Sequence, residues 1–203
     1  LYGTDALRMY LMFIGPFSEG GDFCDTGMEG MHRWVGRIWR MSMASLESGT
    51  TAQASDTLVK AFHRTLKKVG EDTDKRHYNT AIAAMMGFTN LAAAENSALP
   101  IPMLQKFAMM LAPYAPHLAE ELWDRCQTVM GRDTKDTKVQ HGKWSVHQQI
   151  WPTYDPALLV EKTIPMVVQV NGKLRDSLQI DIVSASNQKK VEAIARSSEN
   201  VQK

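Results

Sequence analysis

Apolar residues recur at helical spacing almost from the first position. Leu7, Tyr10, Leu11 and Ile14 mark one face of a short helix, and Gly15-Pro16 stops it. A loop rich in glycine and acid follows, Ser18-Glu19-Gly20-Gly21-Asp22. Thr26-Gly27-Met28-Glu29 then has the T-x-x-E form of a capping box, in which each side chain satisfies an orphan backbone donor of the other. It predicts a second helix reaching about Ser48, with Met28, Met31, Val35, Ile38 and Trp39 toward the packed side and Gly49 as its stop. A third helix from near Ser55 carries Leu58, Val59, Phe62, Leu66 and Val69 on its packed face. Gly70 is expected to kink it, since glycine costs about 1 kcal/mol against alanine in a helix interior.

Asn79 is expected to cap a fourth, alanine-rich helix from about Thr80 to Asn96. Its small residues Ala81, Ala83, Ala84 and Ala92 would let neighbouring helices approach closely. Leu99-Pro100-Ile101-Pro102 reads as a linker, followed by a helix from Met103 to Ala112 and another from Pro116 to about Cys126. Residues 127–149 are polar and mixed in charge, and Trp151-Pro152-Thr153-Tyr154-Asp155-Pro156 reads as a proline-fixed turn. From Ile164 the period changes to that of a strand. Met166–Val170 and Leu174–Ile182 flank Asn171-Gly172, a strong hairpin signal, and a helix from about Asn187 to Arg196 follows. A lone hairpin is marginal, so this unit is expected to draw on strands past Lys203. The fold class is mainly α: residues 15–160 as a helical bundle, then residues 161–203 as a small truncated α/β unit, with residues 1–14 as the tail of a preceding region. No internal repeat is evident.

Hydrophobic residues make up 44% of the 203, enough for a real core. No apolar run reaches the roughly 18–20 residues of a membrane span, so no membrane role is expected. A formal net charge of +1 excludes a uniformly basic binder and confines any nucleic-acid site to a local patch. Cys24 and Cys126 stand far apart without CxxC spacing and read as thiols in a reducing compartment, not as metal ligands. The start at Leu1 and the end at Lys203 read as cut points of a longer chain, on which a targeting signal would be invisible.

No catalytic constellation emerges: no His-x-x-x-His, no nucleophile elbow and no phosphate-cradling glycine loop. Glu120 and Glu121 are adjacent in a helix, point apart, and read as helix-start charge and solvation. The informative feature is basic. Arg33, Arg37 and Arg40 fall at i, i+4 and i+7, one face extending along roughly 10 Å of helix. Arginine suits a phosphate backbone because its planar fork donates two hydrogen bonds at once. The third helix carries a second group, Lys60, His63, Arg64, Lys67 and Lys68, and neither run contains an acid that would neutralise it. RNA or another polyanion competes here with a solvated face of intrahelical ion pairs. Trp39, Phe62 and Trp123 sit at core spacing, which argues against base stacking.

Longer motifs carry a resemblance. Tyr2-Gly3-Thr4-Asp5-Ala6-Leu7-Arg8 resembles the segment just past the signature loop of class I aminoacyl-tRNA synthetases. Leu111–Trp123, with its Ala-Pro-Tyr-Ala-Pro-His core, resembles the late bundle motif shared by the leucine, isoleucine, valine and methionine enzymes. Three segments resemble the leucine enzyme of bacterial type in particular: Thr26–Gly30 leading to Arg33 and Arg37, Tyr78–Ala83, and Val167–Arg175. Ser145-Val146-His147 and Trp151-Pro152 fit in the same order, so the resemblance spans the chain.

The resemblance implies a bundle that packs behind a catalytic domain and holds the body of leucine tRNA, with the C-terminal unit at the outer corner of the tRNA. Leucine enzymes do not read the anticodon. Arg33 and Arg37 match the family's paired tRNA-contacting arginines. Arg40, Arg64, Lys67 and Lys68 extend that face, and Lys173 and Arg175 by the hairpin are secondary candidates, an ordinary exposed tip being the alternative. The longer parent would join leucine to its tRNA with ATP and Mg²⁺. This chain lacks the class I signature motifs and the editing insert, and is expected to be inactive alone, without a cofactor of its own, monomeric and cytoplasmic (or organellar). Asp176, where the family more often has a small residue, would weaken phosphate contact at the hairpin. The stretch 131–143 matches no motif.

Two readings compete with this one. A helical scaffolding module without RNA binding would have its arginine face paired with acids or buried, and a sister class I enzyme would keep the bundle but charge another amino acid.

Overall fold

The computed structural model describes residues 2–16, 18–49, 52–96, 98–131, 144–160, 163–170, 173–181, 185 and 187–197. The chain divides into two compact units, Leu1–Leu158 and Leu159–Lys203. In the first, α1 (Thr4–Phe13), α2 (Asp25–Ser48), α3 (Asp56–Asp74), α4 (Tyr78–Ala94), α5 (Ile101–Leu111) and α6 (Pro116–Val129) surround one core. Met9, Ile38, Phe62, Ile82, Phe107 and Leu122 are fully buried in it, each such side chain contributing about 1.5–3 kcal/mol.

Helix α1 buries Tyr10 of the face its apolar spacing predicts, and Ile14 packs half-buried, but the helix is rotated so that Leu7 and Leu11 turn outward. Ala6, Met9 and Tyr10 are buried, whereas Leu7 and Leu11 are 43% and 55% exposed. Polar anchors set the rotation. Asp5 reaches the start of α6, and Arg8 donates through Nε and Nη2 to the Pro113 carbonyl at 3.1 and 3.0 Å.

Helix α2 begins before the expected capping box. Cys24 is its N-cap, no side chain caps it, and Thr26 lies inside the first turn with its hydroxyl 3.5 Å from Cys24 Sγ. A tertiary contact fixes the entry instead: the Cys24 N–H donates to the Tyr10 hydroxyl at 2.8 Å. Gly27 must be glycine beneath that ring, because a Cβ there would lie 2.5 Å from Tyr10 Cε2. Trp34 joins Met28, Met31 and Ile38 in the core, while Val35 and Trp39 are only half-buried. Gly49 ends the helix at φ +61°, as expected.

Ser55 caps α3, its Oγ accepting the Leu58 N–H at 3.0 Å. The helix runs through Gly70 without interruption to Asp74. A Cβ at Gly70 would stand 3.1 Å from Trp151 Nε1, so the glycine seats an indole instead of breaking the helix. The cap expected from Asn79 is absent: α4 starts at Tyr78 after His77, with no side-chain cap. Thr80 makes the local bond, donating to Asp72 Oδ2 at 2.6 Å. Ala81 and Ala92 are buried and Ala84 half-buried, but Ala83 is exposed, so only part of the alanine set serves helix packing.

Helix α5 starts at Ile101, two residues earlier than predicted, because Pro102 in a first turn forfeits no helical hydrogen bond. Helix α6 extends past Cys126 to Val129. Glu120 lies past the first turn of α6, so its role is a tertiary contact and not the expected helix-start charge. Its Oε2 accepts from Ser145 Oγ at 2.8 Å and Val146 N at 3.1 Å, pinning a short 3₁₀ turn at Val146–Gln148. Glu121 pairs with Arg125 at 2.7 Å.

In the second unit, β1 (Thr163–Val170) and β2 (Lys173–Asp181) pair antiparallel from Thr163↔Asp181 to Val170↔Lys173, with a register shift between Val168 and Gln169. The predicted Asn171-Gly172 turn and Ile182 lie outside the described residues, as does nearly all of 131–143. Helix α7 (Gln188–Ser197) follows Asn187, whose Oδ1 accepts the Lys190 N–H at 3.4 Å.

Candidate nucleic-acid interface

Arg33, Arg37 and Arg40 all emerge on the exposed side of α2, held by Trp34 and Ile38 buried on the adjacent face. The Trp34 indole N–H donates to Thr89 Oγ1 of α4 at 2.9 Å, fixing the rotation of α2 against α4. Arg37 Nη1 donates to Asn90 Oδ1, so its guanidinium is placed at the α4 edge. Arg33 pairs with Glu29 at 3.8 Å, an acid just outside the basic run. That pair is 68% and 53% exposed, and an exposed i,i+4 pair contributes about 0.3–0.5 kcal/mol. It leaves Arg33 available to a phosphate.

The α3 group does not form one patch. Arg64 and Lys68 face α4 and line a groove of about 310 Å³ with Ala84, Gly87 and Leu91. Lys68 also bonds the buried Asp72 carboxylate at 2.9 Å, and Lys67 lies 4.0 Å from Glu71. Acids just beyond the run thus do pair with it, contrary to the reading of an unneutralised cluster. Lys67 and His63 turn to the other side, toward residues 151–155. Lys67 Nζ stands 6.0 Å from the Tyr154 ring centroid, and His63 Nδ1 accepts the Asp155 N–H at 2.8 Å. Burial, then the charge of Lys106, holds the His63 pKa below its usual 6.5.

Helix α4 therefore lies between two basic edges, Arg37 on one side and Arg64 with Lys68 on the other. No Asp, Glu, Lys or Arg occurs from Tyr78 to Ala94. Ala83, Gly87, Asn90 and Ala94 form its exposed side. Sequence reasoning passed over Asn90. The available signal was a poor helix former in a helix interior, which usually means that its side chain bonds elsewhere.

Phe62 and Trp123 are core residues, 1% and 7% exposed, and Trp39 packs half-buried with the Arg125 guanidinium 5.0 Å from its ring. Burial pushes the Cys126 thiol up to about 12. Cys24 is exposed, and hydrogen bonds from Tyr10 and then Thr26 lower its pKa. Among the described residues no group of three His, Cys, Asp or Glu could hold a metal ion, and no helix is long and apolar enough to cross a membrane. In the second unit Lys173 and Arg175 are exposed on β2, with Asp176 half-buried beside them, and Arg175 falls at the register shift opposite Val168 and Gln169.

Residues 56–193, from α3 into the second unit, match a known family described as the anticodon-binding domain of tRNA ligase. The chain belongs to that family. Its relatives at 37–40% identity are leucine–tRNA ligases, as the sequence motifs led one to expect. That of Dehalococcoides mccartyi (strain CBDB1) is 40% identical over 185 residues, 88% of this chain and 21% of the relative. That of Rubrobacter xylanophilus is 37% identical over 204 residues, 98% of this chain and 23% of the relative. The chain thus spans about a fifth of the length of the curated relatives it matches. Among solved structures, a ternary complex of the Agrobacterium radiobacter K84 leucyl-tRNA synthetase with tRNA and LeuAMS matches 99% of this chain and 26% of its own, at TM-score 0.72 and 24% identity. At that identity the likeness speaks for the fold.

Proposed function

We propose that this chain is the part of a leucine–tRNA ligase that holds leucine tRNA, through phosphate contacts along α2 and the flanking edge of α3. The observation that carries the reading is the exposed Arg33–Arg37–Arg40 face, with Arg37 fixed by Asn90, on a bundle of the tRNA-ligase family. Phosphate contacts supply the bulk of such affinity, and shape supplies the selectivity. Catalysis by the whole ligase, leucine joined to tRNA with ATP and Mg²⁺, would gain from this chain only by placement of the tRNA next to the catalytic domain. The chain alone is expected to be a monomeric binder without ligase activity, in the cytoplasm or an organelle. Lys173 and Arg175 on the second unit are secondary contacts in this reading.

The test is binding to leucine tRNA across a salt series, beside Arg33→Ala and Arg40→Ala. Wild type should tighten as salt falls, and each substitution should flatten the salt slope by about one unit. Absence of binding at low salt by a folded chain would overturn the reading in favour of a scaffolding module.

A further inference from the structure

A cavity of about 510 Å³ opens between the end of α1, the loop at Asp22–Cys24, the first half of α2 and the exposed edge of α4. Its size falls within the roughly 300–1,000 Å³ of sites that take small organic ligands. Phe13, Ile14 and Met86 supply apolar wall, while Arg37, Asn90 and Asp22 supply polar groups. Because Asn90 Oδ1 accepts from Arg37 Nη1, the amide is oriented with its NH₂ group left to donate, and Asp22 brings an acceptor. Gly30 also lines the cavity, and a Cβ placed there would meet only Arg33 Nη2, at 3.8 Å. Arg37 supplies the guanidinium that lines the cavity, and the Arg33 guanidinium lies near Gly30 on the same stretch of α2.

Apolar walls, one amide donor, one carboxylate acceptor and a guanidinium at the mouth make up the chemistry of a nucleotide site. A base can be desolvated inside and read along its edge, with its phosphate left at the arginines. We propose that this cavity takes one unstacked nucleotide of the RNA held on the α2 face, with the base between Phe13 and Met86 and the phosphate toward Arg33 and Arg37. The proposal rests on the RNA-binding reading and adds a base contact to a grip otherwise made of phosphates. A rigid duplex would need the arginines but not the cavity.

Gly30→Leu tests it, since the helix has open space for the Cβ and the longer side chain occupies the cavity. The full chain should lose tRNA affinity about tenfold with an unchanged salt slope, whereas Arg40→Ala changes the slope. A scan of leucine tRNA carrying single abasic sites should reveal one position that weakens wild type about tenfold and has no further effect on Gly30→Leu. Phe13→Ala should reproduce that coupling without filling the cavity, provided circular dichroism shows it folded. If Gly30→Leu binds as wild type, or no abasic position couples to it, the base site is wrong while the phosphate grip stands. If wild type fails to bind at low salt, both fall.

Discussion

The Asp5 carboxylate of α1 accepts the backbone N–H of Leu118, in the first turn of α6, at 2.7 Å. Its other oxygen lies 2.8 Å from His117 Nδ1. A residue 113 positions away thus supplies the anion that α6 lacks in its own first turn. A helix start favours negative charge because its orphan N–H groups point outward. Asp5→Ala should lower stability by about 0.5–2 kcal/mol, the range of a lost N-cap, read as an earlier urea midpoint with an unchanged slope. A midpoint within error of wild type would show that α1 and α6 are held by apolar packing alone.

The same bond explains one limit of the sequence. The apolar spacing of α1 singled out Leu7, Tyr10, Leu11 and Ile14. Tyr10 is buried and Ile14 packs half-buried, but the burial of Asp5, Ala6 and Met9 in place of Leu7 and Leu11 follows from a partner more than a hundred residues away. Local signals served where the cause was local: the Ser55 cap, the Gly49 stop, the proline start of α6, and the change of period near Thr163. They failed where a tertiary contact decided, at the Thr26 box overridden by Tyr10 and at Gly70 beneath Trp151. For the candidate site, helical periodicity placed Arg33, Arg37 and Arg40 on one exposed side. It could not divide the α3 cations between two faces, because that depends on where residues 151–155 return.

Two glycines of one motif should respond in opposite ways. Gly27→Ala puts a Cβ 2.5 Å from the ring of a buried tyrosine, and overpacking of that kind costs about 1–3 kcal/mol. Gly30→Ala meets only the Arg33 guanidinium, at an ordinary contact distance of 3.8 Å, and should stabilise the chain by up to about 1 kcal/mol through helix propensity. Thermal unfolding of the pair checks this, and equal shifts of the same sign would contradict it.

His63 should make stability depend on pH. Its Nδ1 accepts a hydrogen bond from Asp155, which requires that nitrogen to be unprotonated. Its folded pKa is depressed below 6.5, through burial first and Lys106 second, with Asp155 opposing. The unfolded chain therefore takes up the proton first as pH falls. The contribution is complete above about pH 6.5 and is lost as pH drops through the folded pKa. Urea midpoints at pH 7.5 and 5.5 should differ more for wild type than for His63→Leu. Identical differences would assign the pH dependence to other groups.

An uncharged helix between two basic edges predicts how α4 responds to charge. Ala83 is exposed, and with Gly87 and Asn90 it lies on the side of α4 that separates Arg37 from Arg64 and Lys68. An RNA backbone bridging those edges must cross this side at close range, where a new charge acts with little solvent between. Glu and Lys are both good helix formers, so either substitution at this exposed position should leave the midpoint of unfolding nearly unchanged. Ala83→Glu should weaken binding of leucine tRNA at low salt by about tenfold, equivalent to about 1.4 kcal/mol. Ala83→Lys should strengthen it and steepen the salt dependence by about one further released counterion. The contrast between the two variants removes size as an explanation, since both side chains are long and differ mainly in sign. Equal affinities for Glu, Lys and wild type would place the RNA elsewhere on the bundle, even if the Arg33 and Arg40 variants still lowered the salt slope.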